Sequence, residues 1–204
     1  VLDDSLVMYL SDHGHMNGHH GLHTKGNATR PQNFLEESIR IPWLARWPAG
    51  FAGGRRPTEP VDLCDAYATV LDAAECAATV GAAADGVPRP GRSILPLLRG
   101  EADDWREYQI CEYGNARMIR SERFKLIRRG PGSEFPVEDE LYDLRADPRE
   151  RNNCLGEADP AIVADLDRRL SEYFERYARP ETDGWDAGRY AGTFNDTEPW
   201  RAPA

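Results

Sequence analysis

The sequence predicts an α/β fold followed by a small antiparallel sheet with one covering helix, and three observations carry that prediction. The run Leu6-Val7-Met8-Tyr9-Leu10 is apolar throughout and ends at Ser11-Asp12-His13-Gly14, the pattern of a central parallel strand covered on both faces. Leu63, Ala66, Tyr67, Val70, Leu71 and Ala74 recur at helical spacing. From Tyr108 onward the pattern changes to short strands, and these lead into an amphipathic stretch from Pro160 to Tyr177.

The elements follow in order. The carboxyl end of a strand such as Leu6–Leu10 is where open α/β sheets place their ligands. Residues 26–40 read as a loop, with Asn27, Pro31 and Asn33, that turns polar around Glu36-Glu37-Ser38. Ile39–Trp47 alternates in part and stops at Pro48-Ala49-Gly50, which predicts a short edge strand carrying Pro42. After Pro57–Pro60, Asp62 can cap a helix running to about Ala78, with the apolar positions above as its buried face. Gly81–Arg92, rich in Ala, Gly and Pro, is the expected boundary between layers, and Ser93–Leu98 reads as a short helix or turn. Strands are expected at Tyr108–Tyr113, Ala116–Ser121, Phe124–Arg129 and Glu140–Leu144, with short connections at Gly114-Asn115 and Ser121–Arg123. Ile162, Val163, Leu166, Leu170, Tyr173, Phe174 and Tyr177 form the apolar stripe of a helix suited to one face of that sheet. The tail after Arg179 reads as irregular. The expected domains are residues 1–85, the end of an α/β core, and residues 86–204, a small α+β layer with that tail.

Composition narrows the partners. The 204 residues carry a net charge of -10, whereas nucleic acid or an anionic membrane would call for a basic surface. No stretch reaches the roughly 18 apolar residues of a membrane span. Val1 opens almost inside a strand, so the chain is read as the C-terminal portion of a larger protein. Cys64, Cys76, Cys111 and Cys154 form no C-x-x-C pair, which argues against a zinc ribbon or a thioredoxin-type motif and leaves buried thiols as the expectation.

The chemistry concentrates after the first strand. All five histidines, His13, His15, His19, His20 and His23, fall within eleven residues, and Lys25 follows Asp12 by thirteen. Only Lys25 and Lys125 are lysines among 25 basic residues, so a compact ammonium stands where the chain otherwise uses guanidinium. Asp12 supplies the oxygen that a hard cation prefers, and one imidazole from His13 is tolerated beside it. Ordinary readings compete at every position: Asp12 as a turn cap, His13 as a structural histidine, Lys25 as a surface lysine, and His15, His19 and His23 as solvated loop residues. Arg40 is expected to pair with Glu36 or Glu37 on the surface.

Ser11-Asp12-His13-Gly14, Gly18-His19-His20-Gly21-Leu22, Lys25-Gly26, Glu36–Pro42 and Arg46-Trp47-Pro48 resemble, in order, the C-terminal half of the type I sulfatases. Gly91–Gly100, Arg117–Arg120, Phe124–Ile127 and Glu140–Pro148 are similar to the closing segment of the same family. The resemblance implies the C-terminal part of an alkaline-phosphatase-like α/β/α sandwich, plus a small domain of four antiparallel strands and a helix. It implies a divalent cation on Asp12 and His13, calcium first and magnesium or manganese next. Lys25 would contact the sulfate ester, and His20 would be a further catalytic or substrate-side group. Glu112 and Arg117, with Tyr113 and Asn115 beside them, would approach the substrate, a sulfated small molecule or glycan. The family's nucleophile is a formylglycine within C-x-P-x-R or S-x-P-x-R, expected upstream, and neither motif occurs in these 204 residues. A phosphonate monoester or phosphodiester hydrolase of the same superfamily, and a non-catalytic histidine-rich metal-binding module, are the alternatives.

Overall fold

Leu6–Leu10 contains the first strand, but its partner differs from the one its apolar composition predicts. In the computed structural model, which describes residues 1–76, 88–131, 137–179 and 183–185, β1 (Val7–Leu10) pairs antiparallel with β2 (Trp43–Arg46). Tyr9 lies opposite Leu44 and Val7 opposite Arg46. Burial alternates along β1, which corrects the expectation of a strand covered on both faces. Val7, Tyr9 and Leu44 are exposed on one face, while Met8 and Leu10 are half-buried on the other. The second strand is shorter than the Ile39–Trp47 run, because Ile39 closes the helical turn α1 (Glu36–Ile39) and Pro42 precedes β2.

The helix α2 (Cys64–Ala73) begins where expected and ends at Ala73, short of the expected Ala78, which lies outside the described residues; Asp62 accepts the Cys64 N–H at 3.1 Å. Its predicted face is inverted. Leu63, Tyr67 and Val70 are exposed, whereas Asp65, Ala68 and Thr69 are buried. The cause is a polar network on the inner side. The fully buried Asp65 carboxylate accepts the N–H groups of Asp62 at 2.9 Å and Arg92 at 2.8 Å, and a guanidinium N–H of Arg106 at 2.5 Å. Thr69 Oγ1 donates to the Asp65 carbonyl at 2.6 Å and accepts the Ile94 N–H at 3.1 Å. A satisfied network of this kind is costly to interrupt, so it fixes the side of α2 that meets α3 (Leu95–Arg99), and the apolar stripe turns outward. The cysteines also differ from expectation: Cys64 and Cys76 are exposed and Cys111 and Cys154 are half-buried.

The remaining strands follow the sequence closely. β3 (Gln109–Tyr113), β4 (Ala116–Arg120), β5 (Phe124–Arg129) and β6 (Glu140–Asp143) form one sheet in chain order, antiparallel between β4 and β5 and between β5 and β6. Gly114 takes a φ of 61° in the two-residue connection of β3 to β4, a conformation that glycine adopts without penalty. The helix α4 (Pro160–Tyr177) begins at Asp159, whose carboxylate accepts the Ala161 N–H at 2.9 Å. It buries Leu166, Leu170 and Phe174, four residues apart, against β4 and β5. Among the described residues no helix is long and apolar enough to cross a membrane.

The chain divides into two units, residues 1–25 with 36–109 and residues 26–35 with 110–204. Gly81–Arg92, the expected boundary, lies partly outside the described residues, as does the tail after Arg179 apart from 183–185. Segment 26–35 is tied to the second unit from within its core. The fully buried Lys125 ammonium donates to the Phe34 carbonyl at 2.8 Å and pairs with Glu150 at 2.6 Å, and Arg129 donates to the Gln32 carbonyl at 2.6 Å. Removing one member of a buried ion pair leaves the other charge unpaired. Lys125→Met is therefore expected to destabilise the protein by about 3–5 kcal/mol, with Lys125→Met/Glu150→Leu recovering much of the loss in denaturant unfolding.

Candidate active site

The turn after β1 presents an aspartate and a histidine side by side, two side chains of the types that ligate metals. Asp12 Oδ1 accepts the His13 N–H at 3.0 Å, and Ser11 Oγ donates to the His13 carbonyl at 2.8 Å. His13 Nδ1 lies 2.7 Å from the Gly14 carbonyl oxygen. That oxygen can only accept, so Nδ1 carries the proton and the Nε2 lone pair is left available. His13 Nε2 and Asp12 Oδ2 face each other at 3.5 Å, with the Asp12 carboxylate largely exposed. Desolvation, the largest single influence, works against ionisation of Asp12. Attraction to the His13 ring in its protonated form, the backbone N–H groups of Asp12 and His13 and the charge of Lys25 together outweigh it and hold the carboxyl below its usual range.

Two acceptors converging at this separation suit adjacent ligands of one divalent cation, and a histidine that donates its other ring N–H to a carbonyl is the usual metal-bound form. Among the described residues no three His, Cys, Asp or Glu converge as a metal-binding group. The fit is therefore that of a partial ligand set.

Gly14 holds this turn in place. Its N–H donates to the Ser38 carbonyl at 2.9 Å, and a Cβ on it would stand 2.1 Å from the Glu37 carbonyl oxygen, so only glycine lets the two backbones meet. The loop that follows closes on itself through Met16 N–H to the Thr24 carbonyl at 2.8 Å, with Met16 fully buried. Lys25 leaves this closure half-buried. His15 and His23 are exposed; His15 Nδ1 accepts the Asn17 N–H at 3.2 Å.

The Glu37 carboxylate does not turn to Arg40 as expected. It lies 3.2 Å from His19 Nδ1 and 3.7 Å from His20 Nε2. Sequence reasoning missed Glu37 because nothing local marks it; eighteen residues separate it from His19.

Glu112 and Arg117 belong to the second unit. The Arg117 guanidinium sits 3.7 Å from the centre of the Phe174 ring and 4.6 Å from that of Trp185. It pairs with Asp183 at 2.6 Å and lies 3.7 Å from Glu112. Burial, helped by the Asp183 charge, raises the Glu112 carboxyl above its usual range against the pull of Arg117. Tyr113 packs its ring against Gly26, where a Cβ would come within 3.0 Å of it, immediately after Lys25 in the chain.

An Asp-His turn follows the first strand with a lysine thirteen residues on, and a four-stranded sheet with one helix closes the chain; comparison with known proteins gives these features a family. Residues 18–176 match the family model described as N-sulphoglucosamine sulphohydrolase, C-terminal. The chain belongs to the type I sulfatase family, as a C-terminal portion with an α/β fold.

It is 32% identical to the N-acetylglucosamine-6-O-sulfatase of Bacteroides thetaiotaomicron over 176 residues, covering 78% of this chain and 28% of that protein. It is 28% identical to human (Homo sapiens) arylsulfatase K over 187 residues, covering 83% and 31%. A solved protein in complex with its substrate D-glucosamine-2-N,6-O-disulfate matches with a TM-score of 0.71 and 29% identity, over 91% of this chain and 36% of that one. A sulfatase from Pseudoalteromonas sp. shares the fold at a TM-score of 0.58 and 16% identity, over 89% and 39%. The chain thus spans less than a third of the length of the two curated relatives.

Proposed function

We propose that this chain contributes one side of the active site of a sulfatase that hydrolyses a sulfate ester on a sulfated carbohydrate. The observation that carries the reading is the 3.5 Å convergence of Asp12 and His13, with Lys25 electrostatically coupled to Asp12, in a chain of this family. Sulfatases generally use a divalent cation and a formylglycine. Asp12 and His13 would hold the cation, with calcium favoured by the oxygen donor and magnesium or manganese next. When bound, such an ion polarises a sulfate oxygen and offsets negative charge at the reacting centre. Lys25 would place its ammonium against the sulfate and neutralise the charge that builds as the S–O bond breaks. His20, carried on the same loop, would donate a hydrogen bond on the substrate side.

Glu112 would accept hydrogen bonds from the sugar, with Arg117 orienting it. Arg117 is enclosed between two rings and already paired, so a positioning role suits it better than direct contact. A sulfated glucosamine is the favoured substrate class, because both the curated relative and the solved complex act on or bind one by name. The remaining ligands and the nucleophile would come from other parts of a longer polypeptide. The outward stripe of Leu63, Tyr67 and Val70 on α2, and the exposed face of Val7, Tyr9 and Leu44, are apolar surfaces suited to receiving them.

The test compares a polypeptide of the relatives' full length with residues 1–204 alone. The longer polypeptide is expected to release inorganic sulfate from a 6-O-sulfated glucosamine, and residues 1–204 to release none. Faster hydrolysis of an aryl phosphonate than of any sulfate ester would move the protein to the phosphonate hydrolases. Turnover by residues 1–204 would sink the idea of a shared site.

A further inference from the structure

The chain just after α4 turns back onto its own unit. The Asp183 N–H donates to the Arg179 carbonyl at 2.8 Å, and the Trp185 N–H donates to Asp183 Oδ1 at 2.9 Å. Asp183-Gly184-Trp185 then seats backbone against backbone. A Cβ on Gly184 would stand 2.3 Å from the Gly114 carbonyl oxygen, and one on Gly130 would stand 2.3 Å from the Trp185 carbonyl oxygen. Both clashes would fall on main chain, which no rotamer change relieves. The connection of β3 to β4 and the end of β5 therefore receive this short strap through glycine at both positions.

The strap surrounds Glu112 of β3. The Glu112 carboxyl accepts the Gly184 N–H, hydrogen-bonds the Asp183 carboxyl and lies 3.7 Å from Arg117. Asp183 is the common partner, since the oxygen that takes the Trp185 N–H also takes a guanidinium N–H of Arg117 at 2.6 Å. Phe174 and Trp185 fix that guanidinium through their rings. Exposure separates the roles: the Arg117 side chain is 14% exposed, against 31% for Glu112 and 28% for Asp183. The cation is enclosed, while the carboxyls keep an open side and acceptor capacity for a hydroxyl-bearing ligand.

We infer that Asp183 is the positioning residue of Glu112: seated in the strap, it occupies the Arg117 guanidinium and holds the Glu112 carboxyl open as an acceptor for sugar hydroxyls. Without Asp183, Arg117 has one carboxylate left to pair with, and Glu112 closes onto it. Without the seat at Gly184, the N–H that aims Glu112 is withdrawn. The inference rests on the reading of Glu112 as the group that accepts from the sugar, but the strap itself is testable without it.

The experiment uses the full-length polypeptide and two changes that act by different routes, Asp183→Asn on the charge and Gly184→Ala on the backbone seat. Amide hydrogen exchange in the peptide spanning Asp183–Trp185 reads the strap directly. Both variants are expected to exchange there about tenfold faster than the parent, with the rest of the polypeptide unchanged, the mark of local opening. Sulfate release is measured on a 6-O-sulfated glucosamine and on a simple aryl sulfate, which offers no sugar hydroxyl. The ratio of kcat/KM for the glucosamine to that for the aryl sulfate is expected to fall about tenfold in both variants, as for one lost hydrogen bond to a charged group. For the glucosamine the change falls on KM rather than kcat, and Asp183→Asn adds nothing in a Glu112→Gln background.

Unchanged exchange in both variants would overturn the strap. A substrate ratio that Asp183→Asn leaves unchanged, or that it lowers further in the Glu112→Gln background, would overturn the positioning role. A parent that releases no sulfate yet shows the exchange difference would instead break the sulfatase reading and leave the strap standing.

Discussion

Lys25→Ala in the full-length enzyme is expected to lower kcat for sulfate release by about 10²–10³-fold, the usual consequence of removing one preorganised donor from a developing charge. The change falls on kcat more than on KM, because charge on the bridging oxygen grows as the S–O bond breaks and the ammonium is worth most at that moment. Lys25→Arg is expected to recover little. A planar guanidinium with a wider footprint does not reproduce a compact ammonium that leaves the loop directly after the strained Thr24. Steady-state kinetics on the three proteins check this, and wild-type kcat in Lys25→Ala would remove the lysine from the mechanism.

The second large effect is expected at the ligand pair. Asp12→Ala should lower sulfate release by on the order of 10³-fold, since in the proposed site it would remove the charged oxygen ligand of a cation worth several kcal/mol to the reaction. Asp12→Asn keeps an oxygen donor without its charge, so part of its activity should return as calcium concentration is raised. His13→Ala is expected to be milder and also correctable by added cation, because a hard ion depends less on imidazole than on carboxylate. Calcium titrations of activity and of Tm, run on each variant, separate loss of the ion from loss of the fold. If Asp12→Ala and the parent respond identically to calcium, Asp12 is not a ligand.

How much of this was legible in the sequence depends on how local the determining physics is. The helix Pro160–Tyr177 matches its expected bounds, because Asp159 caps it, Pro160 opens it and the apolar stripe has one face to cover. Phe124–Arg129 is likewise bounded by short turns on one side and its register on the other. The α2 stripe shows the limit of periodicity. Spacing identifies a helix, but which face is covered within this chain was decided by Asp65 and Thr69, through partners 27 and 25 residues away at Arg92 and Ile94. The same limit applies to β1, whose apolar run does not say that β2 would lie beside it antiparallel.

In the site, the residues named by motif, Asp12, His13 and Lys25, are close in sequence and could be read together. Glu37 could not, since its contact with His19 and His20 is created by a tertiary approach of α1 to the loop that no short motif encodes. The surroundings of Arg117 were likewise not legible: the resemblance implied an approach to substrate, and the fold adds two aromatic faces and Asp183 around it.

The most direct test of the central claim is peptide mass spectrometry of the full-length native polypeptide. A sulfatase site completed around Asp12, His13 and Lys25 predicts a C-x-P-x-R or S-x-P-x-R segment outside residues 1–204 whose first residue has been converted to formylglycine. A polypeptide with no such segment, or with that cysteine or serine unmodified in active material, would contradict it.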